Sequence, residues 1–90
     1  EWDALGAFVR SARERELAVW PAVCVMASGH FEPKGVLEDH PEWALRQTDG
    51  KPWGFLSPAH PEARSWVIKL LGEIADRYQP DGILLDYLRY

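Results

Sequence analysis

One stretch of the chain, residues 17–26, constrains the fold more than any other feature. It is apolar throughout, contains three valines, and lacks the alternation of polar and apolar residues seen in half-buried strands. Such a run is typical of a strand that is buried on both faces, as strands are in a parallel sheet. Pro21 lies within the run and cannot donate a ladder hydrogen bond, so we expect it at a bulge or near a strand end.

Two amphipathic helices flank this strand in the sequence. Apolar side chains recur at intervals of three and four over residues 3–16, with Asp3 placed to cap the start. Glu16 lies where the chain must turn after the helix, and a left-handed backbone at this residue would cost a small amount of free energy. Residues 61–78 repeat the helical periodicity, and Pro61 suits the first position of a helix.

The segment between the first strand and the second helix, residues 27–58, is predicted to be a long loop. Turn-forming residues cluster at 28–29, 33–35 and 49–52. The sequence also indicates a short helix around residues 41–46 and a very short strand at residues 54–56. A segment of this length with several aromatic residues is more often a functional excursion than a simple connection.

A second buried strand is predicted over residues 83–85 and ends at Asp86. The predicted order is therefore helix, strand, long loop, helix, strand. Strands that alternate with helices pair in parallel through right-handed crossovers. The pattern predicts an α/β fold with a parallel sheet.

The composition excludes several functional classes. The 90 residues are 47% hydrophobic and carry a formal net charge of -4, with 10 basic and 14 acidic residues interspersed along the chain. This charge pattern argues against a nucleic-acid partner, and no stretch has the roughly 18 apolar residues that a membrane span needs. The lone Cys24 is predicted to be a small core residue rather than a nucleophile.

The sequence predicts neither a cofactor nor a metal site. It contains no glycine-rich loop of the kind that binds phosphate, and its serines lack the context of a nucleophile elbow. His30, His40 and His60 lack the short paired spacings of metal ligands. We interpret these histidines as surface or capping residues.

Asp86 is the candidate catalytic residue. Ligands of parallel α/β folds bind at the carboxyl ends of the strands, where Asp86 follows the second predicted strand. A carboxylate held at this rim suits an acid, a base or a nucleophile, and a solvated or helix-capping aspartate is the alternative. Because side chains alternate along a strand, Leu84 and Asp86 share one face. Asp81 is interpreted as a turn residue at the opposite end of the strand.

Tryptophans in the predicted loop are candidate sugar contacts. Trp43 and Trp53 could each stack on a sugar ring or cover the core, and the sequence favours neither alternative. Trp66 lies on the apolar stripe of the second helix and Trp20 lies within the first predicted strand. We interpret Trp66 and Trp20 as packing residues.

Several short motifs occur in a fixed order along nearly the whole chain. The last of them, residues 81–90, reads Asp-Gly-Ile-Leu-Leu-Asp-Tyr-Leu-Arg-Tyr. The others are residues 13–15, 21–25, 40–43, 49–52 and 57–64. Together they resemble the middle region of the glycosyl-hydrolase-like family 10, whose proteins are similar to the alpha-amylase clan, and residues 81–90 resemble its fourth-strand signature.

The resemblance implies that residues 1–90 are a single fragment of a (β/α)8 TIM barrel, with about two to three of its eight βα units. It implies a glycoside hydrolase that acts on a cell-envelope or extracellular polysaccharide and has an extracytoplasmic or secreted location. The rest of the barrel in the parent protein would be its structural partner, and a polysaccharide or oligosaccharide its substrate.

The resemblance also implies roles for individual residues. Asp86 corresponds to the catalytic nucleophile of the clan, and Tyr87 and Arg89 would line the same rim as substrate-binding residues. The clan carries an arginine two residues before the nucleophile, where this chain has Leu84. Its general acid lies on a later strand of the barrel.

Two other interpretations stay open. In the first, the chain belongs to a non-catalytic or degenerate barrel in which Trp43, Trp53 and Tyr87 bind carbohydrate without cleaving it. In the second, it is a small self-contained α/β domain with a structural role, although its apolar strand edges would then be unpaired and prone to aggregation.

Overall fold

The chain is described by a computed structural model that covers residues 2–88. These residues form three helices and five strands, together with a 3-10 helix at Pro41–Trp43. In chain order they are α1 (Ala4–Glu14), β1 (Ala22–Cys24), β2 (Ala27–His30), α2 (Val36–Asp39), β3 (Ala44–Arg46), β4 (Pro52–Leu56), α3 (Pro61–Tyr78) and β5 (Leu84–Asp86).

The two long helices follow the predicted pattern. Asp3 caps α1, and its carboxylate accepts a hydrogen bond from the backbone N–H of Gly6 at 3.1 Å. Glu16 has the left-handed conformation that the turn after this helix required, with a φ of 56°. The bounds of α3, Pro61–Tyr78, agree with the prediction, and a left-handed Gln79 ends the helix.

Strands β1 and β5 form a two-stranded parallel sheet, which confirms the predicted α/β class. Ala22 pairs with Leu84, and Cys24 pairs with Asp86. Pro21 lies just before β1, where its carbonyl oxygen accepts a hydrogen bond from the N–H of Leu84 at 2.9 Å. Proline is tolerated at this position because the pairing uses its carbonyl oxygen as an acceptor and requires no backbone N–H from it. Residues 2–88 form no closed barrel.

Two details of the parallel strands differ from the prediction. Regular pairing covers only Ala22–Cys24 and Leu84–Asp86, and these strands are largely exposed rather than buried on both faces. Cys24 is exposed, so its assignment as a core residue is wrong for this structure. The reason is that the core packs against the face that carries Val23, and no described element covers the opposite face.

Trp20 also differs from its predicted place in a buried strand. It precedes β1 and is 63% exposed. One face of its indole nevertheless lies against Gly82, where an added Cβ would come within 2.6 Å of the ring. The glycine permits this close approach and joins the segments that enter β1 and β5.

Residues 27–58 are not a loop, because they contain a second sheet. β2, β4 and β3 form it in that order, and all of its pairs are antiparallel. The strand predicted at residues 54–56 belongs to β4 and not to the parallel sheet. Where a helix was predicted at residues 41–46, the structure has the 3-10 helix followed by β3. The pairing of β3 with β4 across the turn at Asp49 and Gly50 outweighs the helical propensity of these residues.

The hydrophobic core lies between this antiparallel sheet and α3. Leu37 of α2 and Leu56 of β4 are fully buried, and Trp66 of α3 packs against the same cluster. The remaining buried members are Val25, Trp43, Ala44, Ala63 and Val67. The core therefore holds the antiparallel sheet against α3. Both the sheet and this helix lie between β1 and β5 in the chain.

Candidate functional site

Asp86 is the last residue of β5, at the carboxyl end of the parallel pair. Its backbone carbonyl accepts a hydrogen bond from the N–H of Val25 at 3.1 Å, which ties it to the end of β1. Its carboxylate Oδ1 accepts a hydrogen bond from the N–H of Tyr87 at 2.8 Å. The side chain is exposed, and this hydrogen bond to its neighbour holds its orientation.

The sheet register shows which way this carboxylate projects. Asp86 and its partner Cys24 project from the same face, because directly paired residues lie on one side of a sheet. Val23 projects from the other face and packs against the core. Asp86 therefore projects away from the core, and so does Leu84 at the neighbouring position on its face.

Asp81 lies in the bend that precedes β5, on the side opposite Asp86, as predicted. Its carboxylate Oδ2 accepts a hydrogen bond from the N–H of Val19 at 2.6 Å, and its own N–H donates to the carbonyl oxygen of Val19 at 3.0 Å. These two bonds align the entrances to β1 and β5. Asp81 accordingly has a structural role, and its carboxylate is separated from that of Asp86 by the length of the strand.

An aromatic row extends from the antiparallel sheet to the residue after Asp86. We use this name for Trp53, Phe55, His30 and Tyr87. The ring centroids of Trp53 and Phe55 are 5.0 Å apart, and those of Phe55 and Tyr87 are 6.4 Å apart with their planes inclined at 27°. Trp53 is 39% exposed. The row links two of the predicted substrate-binding residues, Trp53 and Tyr87, through the ring of Phe55, and Tyr87 directly follows Asp86.

Trp43 is not part of this row. It is only 5% exposed, belongs to the core and stacks on His40 with ring centroids 4.0 Å apart. This placement favours the second of its two predicted roles, covering the core. Arg89, the remaining predicted substrate-binding residue, lies outside the described residues.

Three of the carboxylates in residues 32–42, those of Glu32, Glu38 and Glu42, make local contacts. Lys34 lies 3.9 Å from Glu32 and 4.0 Å from Glu38 in exposed ion pairs. The backbone N–H of Glu42 holds the pKa of its own carboxyl below the ordinary 4.5, and the His40 ring acts in the same direction against desolvation. A general acid must retain its proton near neutral pH, so the lowered pKa of Glu42 argues against that role.

Two residues of the row, His30 and Phe55, were not predicted as site residues. Phe55 alternates with Leu56 along β4, and alternation would have marked it as lying on the face away from the core. His30 gave no such signal, because its position depends on long-range pairing.

Among residues 2–88, no group of three or more His, Cys, Asp or Glu side chains is arranged to hold a metal ion. The helices of this part of the chain include none that is long and apolar enough to cross a membrane.

Comparisons with known proteins give a consistent picture. The family model described as glycosyl hydrolase-like 10 matches residues 1–90. An S-layer-related protein of Niallia circulans is 26% identical over 98% of this chain, which spans 6% of that protein's length. Part of a noncanonic maltogenic alpha-amylase from Thermotoga neapolitana superposes on 90% of the chain with a TM-score of 0.65 and 25% identity. The chain spans 20% of that amylase, so the match is to part of its fold.

Proposed function

The chain belongs to the glycosyl hydrolase-like 10 family, and from this membership we propose that it forms part of a barrel that hydrolyses O-glycosidic bonds of a cell-envelope or extracellular polysaccharide. The observation that carries this proposal is the position of Asp86 at the carboxyl end of a parallel strand. Reacting groups of α/β barrels lie at that end. The S-layer-related protein among the relatives supports an extracytoplasmic location.

In this proposal Asp86 is the nucleophile of a retaining mechanism. Its carboxylate bonds to the anomeric carbon as the glycosidic C–O bond breaks, and the leaving oxygen takes a proton from a carboxylic acid about 5–5.5 Å away. Water then hydrolyses the glycosyl ester, with that second group acting as the base. The resemblance implies that this acid lies on a later strand of the barrel, and the contacts of Glu32, Glu38 and Glu42 with a lysine or a backbone N–H agree with that assignment.

The aromatic row supplies the surface on which the sugar binds. Sugar rings have apolar faces that stack on aromatic side chains, and the exposed part of Trp53 offers such a face near Tyr87. Binding energy from sugars held here would place the scissile bond at Asp86. Arg89 is proposed to contact the same substrate.

The second candidate is carbohydrate binding without cleavage. It is favoured by Leu84, which shares the face of Asp86 at the position where the alpha-amylase clan has arginine. The aromatic row would support sugar binding in either case. The two candidates differ only in whether a glycosidic bond is broken.

The experiment that separates them uses the full gene product. It is incubated with soluble starch, an N-acetylglucosamine hexamer, peptidoglycan and purified cell-wall polysaccharide, and both release of reducing ends and glycan binding are measured. The proposed hydrolase releases reducing ends from at least one of these glycans. Binding without release would establish the second candidate, and neither binding nor release would contradict both.

A further inference from the structure

His30 and Tyr87 share an unusual backbone conformation and touch each other. Both are left-handed, with φ values of 63° and 55°. The other non-glycine residues of positive φ among residues 2–88 are Glu16 and Gln79, which end helices, where this conformation is common. His30 and Tyr87 lie at strand ends instead, where a left-handed non-glycine residue costs energy and persists only if its surroundings hold it.

The contact between the two side chains provides such surroundings. The imidazole of His30 meets the ring of Tyr87 edge to face, with centroids 5.3 Å apart and planes at 83°. It meets Phe55 in the same way, also at 5.3 Å and 83°. Edge-to-face pairs at this separation are favourable beyond the area that they bury. His30 thus contacts both rings of the 6.4 Å Phe55–Tyr87 pair at once.

The antiparallel sheet holds His30 in this position through two glycines. His30 pairs with Gly54 after a register shift in β2, and an added Cβ on Gly54 would lie 2.3 Å from the backbone nitrogen of His30. Gly29, with a φ of 111°, lies within β2 where the register shifts, and an added Cβ there would lie 2.0 Å from the carbonyl oxygen of Glu32. The backbone around His30 is therefore packed too tightly to accept larger residues at either glycine.

We propose that His30 is a positioning residue for glycan binding, which holds the ring of Tyr87 beside Asp86 so that a sugar unit stacks on the aromatic row next to the reacting carboxylate. The inference deepens the proposed function and rests on it. Tyr87 is the link, because its N–H donates to the Asp86 carboxylate while its ring contacts His30. A change at His30 consequently reaches the substrate through Tyr87.

The kinetic test compares three variants of the full gene product on the glycan that the wild-type protein hydrolyses fastest. His30→Ala removes both ring contacts, and His30→Phe keeps the two aromatic edges. Phe31→Ala is the matched control, because Phe31 is the adjacent aromatic residue and is 88% exposed. We expect His30→Ala to raise KM roughly three- to tenfold, the effect of losing aromatic pairs, with a smaller change in kcat. His30→Phe and Phe31→Ala should stay within about twofold of the wild type.

A structural readout tests the same inference without activity. Crystal structures of the wild-type protein and of His30→Ala should differ at Tyr87, whose φ leaves the positive range in the variant and returns to it in His30→Phe. An unchanged Tyr87 in His30→Ala, or an unchanged KM, would overturn the positioning role. If the wild-type protein cleaves no glycan, the proposed function fails separately, and the crystal structures alone decide whether His30 positions Tyr87.

Discussion

Cys24 and Asp86 are register partners across the parallel strands β1 and β5, and their side chains project from the same face of the sheet. The thiol is exposed in the described part of the chain, as the carboxylate is. In the proposed hydrolase this face carries the nucleophile. The neighbourhood of the reacting carboxylate can therefore be altered from β1 without changing Asp86 itself.

A large side chain at position 24 is expected to obstruct the site. Cys24→Phe places an aromatic ring beside Asp86, and displacing a substrate by about 1 Å can cost 100-fold in rate, so we expect kcat/KM to fall at least tenfold. Cys24→Ser preserves the size of the side chain and should stay within about threefold of the wild type. Steady-state kinetics on the full gene product provide the measurement. Equal activities of the two variants would place the substrate away from this face.

Two glycine substitutions are expected to have opposite effects on stability, because Gly54 lies where β2 closely approaches β4 and Gly72 lies in open space. Gly54→Ala brings a Cβ within 2.3 Å of the His30 nitrogen and 2.7 Å of the Glu32 oxygen, and these backbone atoms cannot move aside cheaply. We expect it to lower the free energy of unfolding by about 1–3 kcal/mol. Gly72→Ala lies within α3 with no atom near its added Cβ, so it should raise that free energy by up to about 1 kcal/mol.

Urea denaturation of the full gene product, followed through the transition that includes this region, measures both changes. Gly54→Ala should also weaken glycan binding, because it displaces His30, whereas Gly72→Ala should leave binding unchanged. A neutral or stabilising Gly54→Ala would show that β2 and β4 are not packed as described.

A hydrogen bond between Tyr78 and Asp3 joins the two long helices and predicts a pH-dependent stability. The Tyr78 hydroxyl lies 2.9 Å from both carboxylate oxygens of Asp3. The pKa of Asp3 is lowered from 3.8, first by the Gly6 N–H and then, against desolvation, by Tyr78 and Arg77. The pKa of Tyr78 is raised from 10.0, mainly by its hydrogen bond to Asp3.

The directions of these shifts define the pH window. Stability from the depressed Asp3 pKa is present above pH 3.8 and is lost as the pH falls through the lower folded value. Stability from the raised Tyr78 pKa is present below pH 10.0 and is lost as the pH rises through the higher folded value. The Tm of Tyr78→Phe should therefore lie below that of the wild type at neutral pH, and the difference should shrink below pH 3.8.

Asp3→Asn is the control for this prediction. Asparagine caps a helix as well as aspartate does, so α1 keeps its cap while the ionised acceptor for Tyr78 is lost. In an Asp3→Asn background, Tyr78→Phe should change Tm less at neutral pH than it does in the wild type. An effect of Tyr78→Phe that is the same from pH 3 to pH 7 would contradict the coupling.

The parts of the fold that follow from local pattern were predictable from the sequence. The helix Pro61–Tyr78 combines a sustained apolar stripe with proline at its start, and both signals act within a few residues of each other. The parallel pairing of β1 with β5 followed from the alternation of strands and helices. The position of Asp86 at the end of a strand followed from the same alternation, together with the apolar run that precedes it.

The antiparallel sheet could not be predicted in this way. β2 is the four-residue sequence Ala-Ser-Gly-His, which has neither β-branched residues nor apolar alternation. It forms because Gly54 allows the backbone of His30 to approach β4, which is a tertiary effect. The aromatic row depends on the same approach, and therefore His30 was not recognised as a site residue. The burial of Trp43 was also unpredictable from local pattern. An indole in a polar segment becomes buried when that segment folds over a core.

The most direct test of the account compares Asp86→Asn with Asp81→Asn in the full gene product. Each variant replaces one carboxylate, either at the end of β5 or in the bend before it, with an amide of the same size, and the amide oxygen at position 81 can still accept the bond from Val19. We predict that Asp86→Asn lowers kcat for glycan hydrolysis more than about 1,000-fold, as loss of a catalytic residue does, while Asp81→Asn stays within about threefold. Hydrolysis by Asp86→Asn at the wild-type rate would contradict the assignment of Asp86 as the nucleophile.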